Sequence, residues 1–391
     1  MASAVQRILV KVIFYISIAI WGCRGILMML STIIKFSKVL FVKKNRSQLP
    51  SCATDPSLGT HDSLTLNFRG ETSACSVRSL KIKYVANGKS GLPLMLCIHG
   101  FPECWYSWRH QLKEFSSKYR VVAIDLPGYG DSDKPADKDF YSVTSLVDTI
   151  AQIIIELGYE SATIVSHDWG GALAWNFAVN HADKCEQVIV MNAPNAVGFQ
   201  KGFTFKQYCM SWYMFFFQLP WLPEFMMSCC DFQFMNDCFR GAWGVTDKSR
   251  LTDEDVEVYK YSLSSWEARN SAINYYRRNN MLSRDHFRGK KFKLECPVLL
   301  IWGTEDQALS LELAAKSANA SDLITLEYVE GASHWVQQDN PEEVNRLMWE
   351  FLNSSSSYGR LDVEPSFGAL SPDYGLSPEG PEPDLSPEIE L

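Results

Sequence analysis

Residues 164–171 read Ile-Val-Ser-His-Asp-Trp-Gly-Gly, and they constrain the fold more than any other stretch of the chain. A β-branched run ends there, and the helix-forming residues 172–178 follow at once. Ser166 and Gly170 are small and flank Asp168, so a sharp strand-to-helix turn can push that side chain out of a sheet. Turns of this layout often present a serine that cleaves esters; here the tip is a carboxylate. A carboxylate that attacks an ester gives a high-energy mixed anhydride. Attack on a saturated carbon instead gives an ordinary alkyl ester, which water can cleave. The residue type therefore points to epoxide ring opening or halide displacement.

The rest of the chain supplies the sheet that such a turn needs. Strands are predicted at 64–68 and 80–86 as a hairpin pair, with Asn87-Gly88 as turn residues nearby. Further strands follow at 94–98, 120–125, 162–166, 186–191, 297–302 and 323–329, with a helix over 143–157. The run at 94–98 is continuously apolar, as expected of a strand covered on both faces. Alternation at this spacing predicts a mostly parallel eight-stranded sheet between helical layers. The rhythm stops at Asn195 and resumes after Arg288. The intervening residues 195–288 are rich in Trp, Tyr and Phe and helical in pattern. An insertion after the sixth strand sits over the carboxyl ends of the sheet, so this block is expected to form a lid with an apolar pocket beneath it. The core is then residues 60–194 and 289–353.

Charge is segregated along the 391 residues. Residues 1–50 carry eight Lys/Arg and no acid, residues 354–391 carry a net −7, and the middle carries −9, which argues against a nucleic-acid surface. The 11 cysteines show no zinc or paired CxxC spacing, so reduced thiols facing the cytosol are expected, with no metal and no cofactor. Residues 8–34 are apolar apart from Lys11 and Arg24, the latter near mid-depth of any span. They predict a membrane anchor, either a single-pass helix or an interfacial one. Lys35, Lys38, Lys43, Lys44 and Arg46 follow it, which places the enzyme on the cytosolic side, as at the endoplasmic reticulum. Sequons at Asn45, Asn319 and Asn353 matter only for the opposite orientation. The acidic Ser/Pro-rich residues 354–391, with Leu-Ser-Pro three times, are expected to be disordered; Ser371, Ser377 and Ser386 fit proline-directed phosphorylation.

An Asp nucleophile needs helpers. His334, in Gly-Ala-Ser-His-Trp after the last strand, is placed as the base that activates water. His167 abuts the nucleophile and should point away from it. Asp306 follows the strand at 297–302 and is placed to orient His334, with Glu305 as its rival. Backbone N–H groups of Trp169 and Phe101 can form an oxyanion hole. His99 and Glu103 are read as braces for the His-Gly-Phe-Pro turn. A leaving alkoxide also needs an acid, for which a tyrosine suits, but composition does not choose among the lid tyrosines.

Taken together, His99-Gly-Phe-Pro-Glu103, the run at 125–133, Ser-His-Asp168-Trp-Gly-Gly, Trp302-Gly-Thr-Glu-Asp306 and Gly-Ala-Ser-His334-Trp resemble the α/β-hydrolase-fold epoxide hydrolases, in particular the membrane-anchored epoxide hydrolase 3/4 group. The resemblance covers residues 60–353. It implies an α/β-hydrolase fold, an epoxide substrate and two lid tyrosines. One precedes an aromatic run ending in Gln-x-Pro, matched by Tyr213; the other lies in Asn-aromatic-Tyr-Arg, matched by Tyr276, with Tyr275 the alternative for a one-residue slip. Lipid-like epoxides such as epoxy-fatty acids fit the apolar lid and the anchor. A haloalkane dehalogenase shares the Asp elbow but needs halide donors instead of a tyrosine pair. A non-catalytic scaffold would have lost one of these residues.

Overall fold

The computed structural model describes residues 4–37, 44, 46–68, 79–280 and 291–355. The sequon at Asn45, lid residues 281–288 and the Leu-Ser-Pro tail lie outside them. In chain order the elements are α1 (Ala4–Lys35), β1 (Thr60–Asn67), β2 (Ser79–Asn87), β3 (Leu94–Ile98), α2 (Arg109–Glu114), β4 (Arg120–Ile124), α3 (Val143–Glu156), β5 (Ala162–His167), α4 (Trp169–Asn180) and β6 (Cys185–Met191). Six helices follow: α5 (Ala196–Gly202), α6 (Phe205–Met210), α7 (Trp212–Phe216), α8 (Leu222–Arg240), α9 (Asp253–Ser262) and α10 (Trp266–Arg278). The core resumes with β7 (Val298–Gly303), α11 (Leu311–Ala318), β8 (Ile324–Val329), α12 (Val336–Asp339) and α13 (Pro341–Ser355).

The eight strands form one sheet in the order β1-β2-β4-β3-β5-β6-β7-β8. β1 and β2 pair antiparallel, as do β2 and β4, and every later pair is parallel. All residues of β3, β5 and β7 are buried, which is why their sequences run apolar without alternation. Helix α3 shows the complementary pattern. Val143, Leu146, Val147, Ile150, Ile153 and Ile154 fall on one buried face, and Ser142 caps its first turn. The lid enters between β6 and β7, and so stands above the carboxyl end of β5.

Two features of the lid region do not follow the sequence pattern. Within α8 the helix breaks at Cys229, and Cys230, Asp231 and Phe232 adopt left-handed backbone angles. Arg46, from the segment after α1, holds this break: it donates to Asp231 at 2.7 Å and to Glu257 at 3.0 Å, and lies over the Phe232 ring. Helix α1 itself does not stand apart from the enzyme. Phe14, Ser17, Gly22, Gly25 and Met29 form a buried stripe against α7 and the turn that follows it. Ser17 accepts a hydrogen bond from the Tyr208 hydroxyl at 2.7 Å, and the Phe14 and Phe215 rings lie 6.0 Å apart. A Cβ on Gly25 would stand 2.1 Å from the Phe216 ring, so only glycine allows the helices this close. The opposite face of α1 exposes Ile8, Ile13, Ile16, Ile20, Leu27 and Ile34.

Candidate active site

Asp168 lies between β5 and α4 with φ 49° and ψ −118°, a conformation that lifts its side chain out of the sheet. The sequence permits it through its neighbours. A Cβ at position 170 would come within 2.1 Å of the Ile98 carbonyl oxygen, so Gly170 is what lets α4 leave this abruptly. Ser166 anchors the strand end by donating to the Ile189 carbonyl at 3.0 Å. One Asp168 oxygen accepts from the Phe101 N–H at 2.8 Å. Trp169 begins α4, where first-turn N–H groups have no partner within the helix.

His334 Nε2 stands 3.7 Å from Asp168 Oδ2, and its Nδ1 is 2.8 Å from Asp306 Oδ2. The structure thus brings together three residues that are far apart in sequence, in the order nucleophile, acid, histidine. Glu305 does not take the place of Asp306. Asp306 is fixed by three further donors: the Ala308 and Leu309 N–H groups at 2.7 and 2.9 Å, and the Asn192 amide at 2.7 Å. Asn192 was not singled out from the sequence. It ends β6 with φ 45° and also accepts from the Gly303 N–H at 3.3 Å. Its one local signal is a polar residue directly after an apolar strand on the catalytic edge.

The charges favour a paired state. Burial disfavours ionised Asp168, but nearby His334, the charge of His167 and the Phe101 N–H outweigh it and lower its pKa. Burial likewise opposes a charged His334, yet Asp306 and Asp168 together raise its pKa to about 10.

Opposite this group, Tyr213 on α7 and Tyr276 on α10 place their rings 6.0 Å apart. Burial, then the negative charge of Asp168, raises the pKa of both phenols above their usual range, so they remain proton donors. Tyr275 points elsewhere: its hydroxyl donates to the Pro127 carbonyl at 2.8 Å. Tyr276, and not Tyr275, is the one of the two that lines the cavity with Tyr213. Asp168, His334, Tyr213 and Tyr276 all line a cavity of about 90 Å³, otherwise walled largely by aromatic and apolar side chains such as Phe101, Trp212 and Phe217.

Beneath the site lies a second buried ionic pair. His167 Nδ1 is 2.6 Å from Glu103 Oε2, while its Nε2 is 2.8 Å from the His334 carbonyl. Both ring nitrogens thus face oxygen atoms that can accept a hydrogen bond. Glu103 also accepts from the Gly100 N–H and from Gln337 and Gln338. Burial would raise its pKa, but the charge and hydrogen bond of His167, with Ser107 and the Gly100 N–H, lower it to about 2. His99 is buried and held neutral, its pKa lowered to about 4 by desolvation, with Nδ1 toward the Gly100 carbonyl and Nε2 accepting from the Leu126 N–H. These residues brace the turn that carries Phe101.

Sequence and structure comparisons agree with this fold. A family model described as alpha/beta hydrolase fold matches residues 93–341. Epoxide hydrolase 1 of Caenorhabditis elegans is 45% identical over 285 residues, which are 71% of this chain and 69% of that one. Epoxide hydrolase 4 of Homo sapiens is 39% identical over 321 residues, 81% and 85% of the two chains. Among solved structures, the Bacillus megaterium epoxide hydrolase in complex with an inhibitor superposes with a TM-score of 0.62 at 33% identity, covering 70% of this chain and 97% of that one. With its Asp elbow, its parallel sheet and its inserted lid, this chain belongs to the epoxide hydrolases of the α/β-hydrolase fold.

Proposed function

We propose that the chain hydrolyses lipid-like epoxides to vicinal diols through an alkyl ester on Asp168. One observation carries the reading: the Asp168 carboxylate and the Tyr213 and Tyr276 phenols line one small apolar cavity. The phenols hold the epoxide oxygen while Asp168 attacks a ring carbon from the opposite side. The C–O bond breaks, and the alkoxide takes a proton from a tyrosine. His334, charged in the resting site, restores that proton. Esterification removes the Asp168 charge, one of the causes that raise the His334 pKa, and so releases the ring to act as a base. Neutral His334, oriented by Asp306, then takes a proton from water as it attacks the ester carbonyl. The Phe101 and Trp169 N–H groups receive the oxyanion, and collapse releases the diol. No cofactor enters the scheme. The test is a single turnover in heavy-oxygen water, with label expected in the Asp168 carboxylate. Label in the diol alone would exclude the covalent route.

We further propose that α1 holds the lid against a membrane surface, lying in its plane. The contacts from Phe14 to Thr32 run along about 27 Å of helix, close to the ~30 Å thickness of a hydrocarbon core. Spanning the bilayer in this docked state would immerse the charged lid. An apolar outer face beside Lys11 and Lys35, with no acid in residues 1–50, suits an anionic lipid surface. The exposed Phe205, Trp221 and Phe225 of the lid add aromatic side chains suited to the interface. The basic flank favours the cytosolic face of the endoplasmic reticulum.

A further inference from the structure

Arg24 is the charge that the anchor reading leaves without a use. Its guanidinium lies 5.4 Å from the centroid of the Trp21 ring and 5.2 Å from that of Trp212. The side chain is exposed, and among the described residues no ion pair involves it. Trp212 lines the catalytic cavity, next in sequence to Tyr213. Its ring also meets Trp243 at 6.0 Å, and Trp243, which lines the same cavity, is 41% exposed. Arg24 therefore stacks on Trp212, a wall residue of the cavity whose ring meets the exposed Trp243. Among the described residues no lysine or arginine lines the cavity itself. A long substrate with its ring between Asp168 and the tyrosine pair extends along this apolar lining toward the exposed Trp243.

We propose that Arg24 binds the carboxylate of an amphipathic epoxide whose ring lies between Asp168 and the tyrosine pair. Helix α1 would then form one wall of the substrate entrance, and the enzyme would prefer epoxy acids to their esters. The two tryptophan rings fix the guanidinium plane while leaving its N–H edge free to take a carboxylate. The proposal rests on the epoxide reading above and deepens it.

The test uses the full chain in uncharged detergent, with a long-chain epoxy fatty acid, its methyl ester and the small neutral styrene oxide as substrates. Arg24→Gln is expected to raise KM for the acid about ten-fold or more, the loss of one charge-assisted hydrogen bond. Values for the ester and for styrene oxide should stay unchanged, and Arg24→Lys should recover part of the acid preference. An acid-to-ester KM ratio that is the same in wild type and Arg24→Gln overturns the proposal. So does a variant whose sole defect is weaker sedimentation with anionic vesicles, since Arg24 would then serve lipid phosphate. If wild type hydrolyses styrene oxide but shows no preference for the acid, the proposal fails while the epoxide reading survives. If wild type turns over none of the three, both fall.

Discussion

Glu103→Gln is the substitution that most directly probes the support beneath the nucleophile. Glu103 and His167 are both fully buried, 2.6 Å apart. Glutamine keeps the shape and removes the charge, leaving the buried His167 ring without its ionic partner. Removing one partner of a buried ion pair typically destabilises by about 3–5 kcal/mol. The hydrogen bonds sharpen the case. One Glu103 oxygen faces the Gly100 N–H and His167; the other faces the Gln337 and Gln338 amides. The new amide nitrogen must meet donors in either orientation. Gln337 can turn to relieve this, because its own oxygen accepts no hydrogen bond among the described residues. Gln338 cannot, because its oxygen already accepts from Arg109 and Tyr259.

The assay is urea denaturation in detergent at several pH values, read by Trp fluorescence. The Glu103 pKa falls on folding from the ordinary carboxylate value of about 4.3 to about 2. The stability this supplies is full above pH ~4.3 and is lost as pH falls through about 2. The Glu103→Gln penalty should therefore be about 3–5 kcal/mol at pH 7 and shrink on acidification. Glu103→Gln combined with His167→Phe should recover part of the loss, as coupled partners do. A penalty under ~1 kcal/mol at pH 7, or one that does not depend on pH, would refute the buried-pair argument.

Other expectations follow from the same geometry. His334→Gln should still form the alkyl ester and then stall, so intact-mass spectrometry after mixing should show protein heavier by one substrate. Because folding raises the His334 pKa from about 6.5 to about 10, its stabilising contribution is full below pH ~6.5 and lost as pH rises through about 10. The stability gap between wild type and His334→Gln, followed by thermal melts, should close over that window. Asn192→Ala removes a hydrogen bond to charged Asp306, worth about 1.5–3 kcal/mol, and should slow ester hydrolysis roughly 10–100-fold while the initial burst of alkylation persists. Gly25→Leu forces a side chain into Phe216 at an overpacking cost of about 1–3 kcal/mol. Hydrogen exchange should then rise along α1 and α7, and a variant that shows normal protection would deny the docking.

Which features were legible in the sequence depends on how local their causes are. The elbow could be read because strand, small residues, nucleophile and helix are contiguous, and steric limits at Gly170 and Ser166 act within a few residues. The buried strands could be read because two covered faces demand unbroken apolar runs. Asp306 and His334 were accessible one step further, through a chain order that this topology imposes. Asn192 was not, because its role exists only once β6 and β7 lie side by side and bring it to an acid 114 positions away. The Glu103 and His167 pair joins residues 64 apart in the same manner. Helix α1 is the instructive failure. Its composition is so uniformly apolar that no face stands out, so the sequence supports a membrane span and an interfacial helix alike. Its docking turns on Gly22 and Gly25, which read as unremarkable in a hydrophobic segment but in three dimensions form the notch that seats Leu219 and Phe216. Once α1 is seated there, the position of Arg24 changes meaning. A charge that is a defect in a spanning helix becomes a cation stacked on a lid ring that forms part of the wall of an apolar cavity.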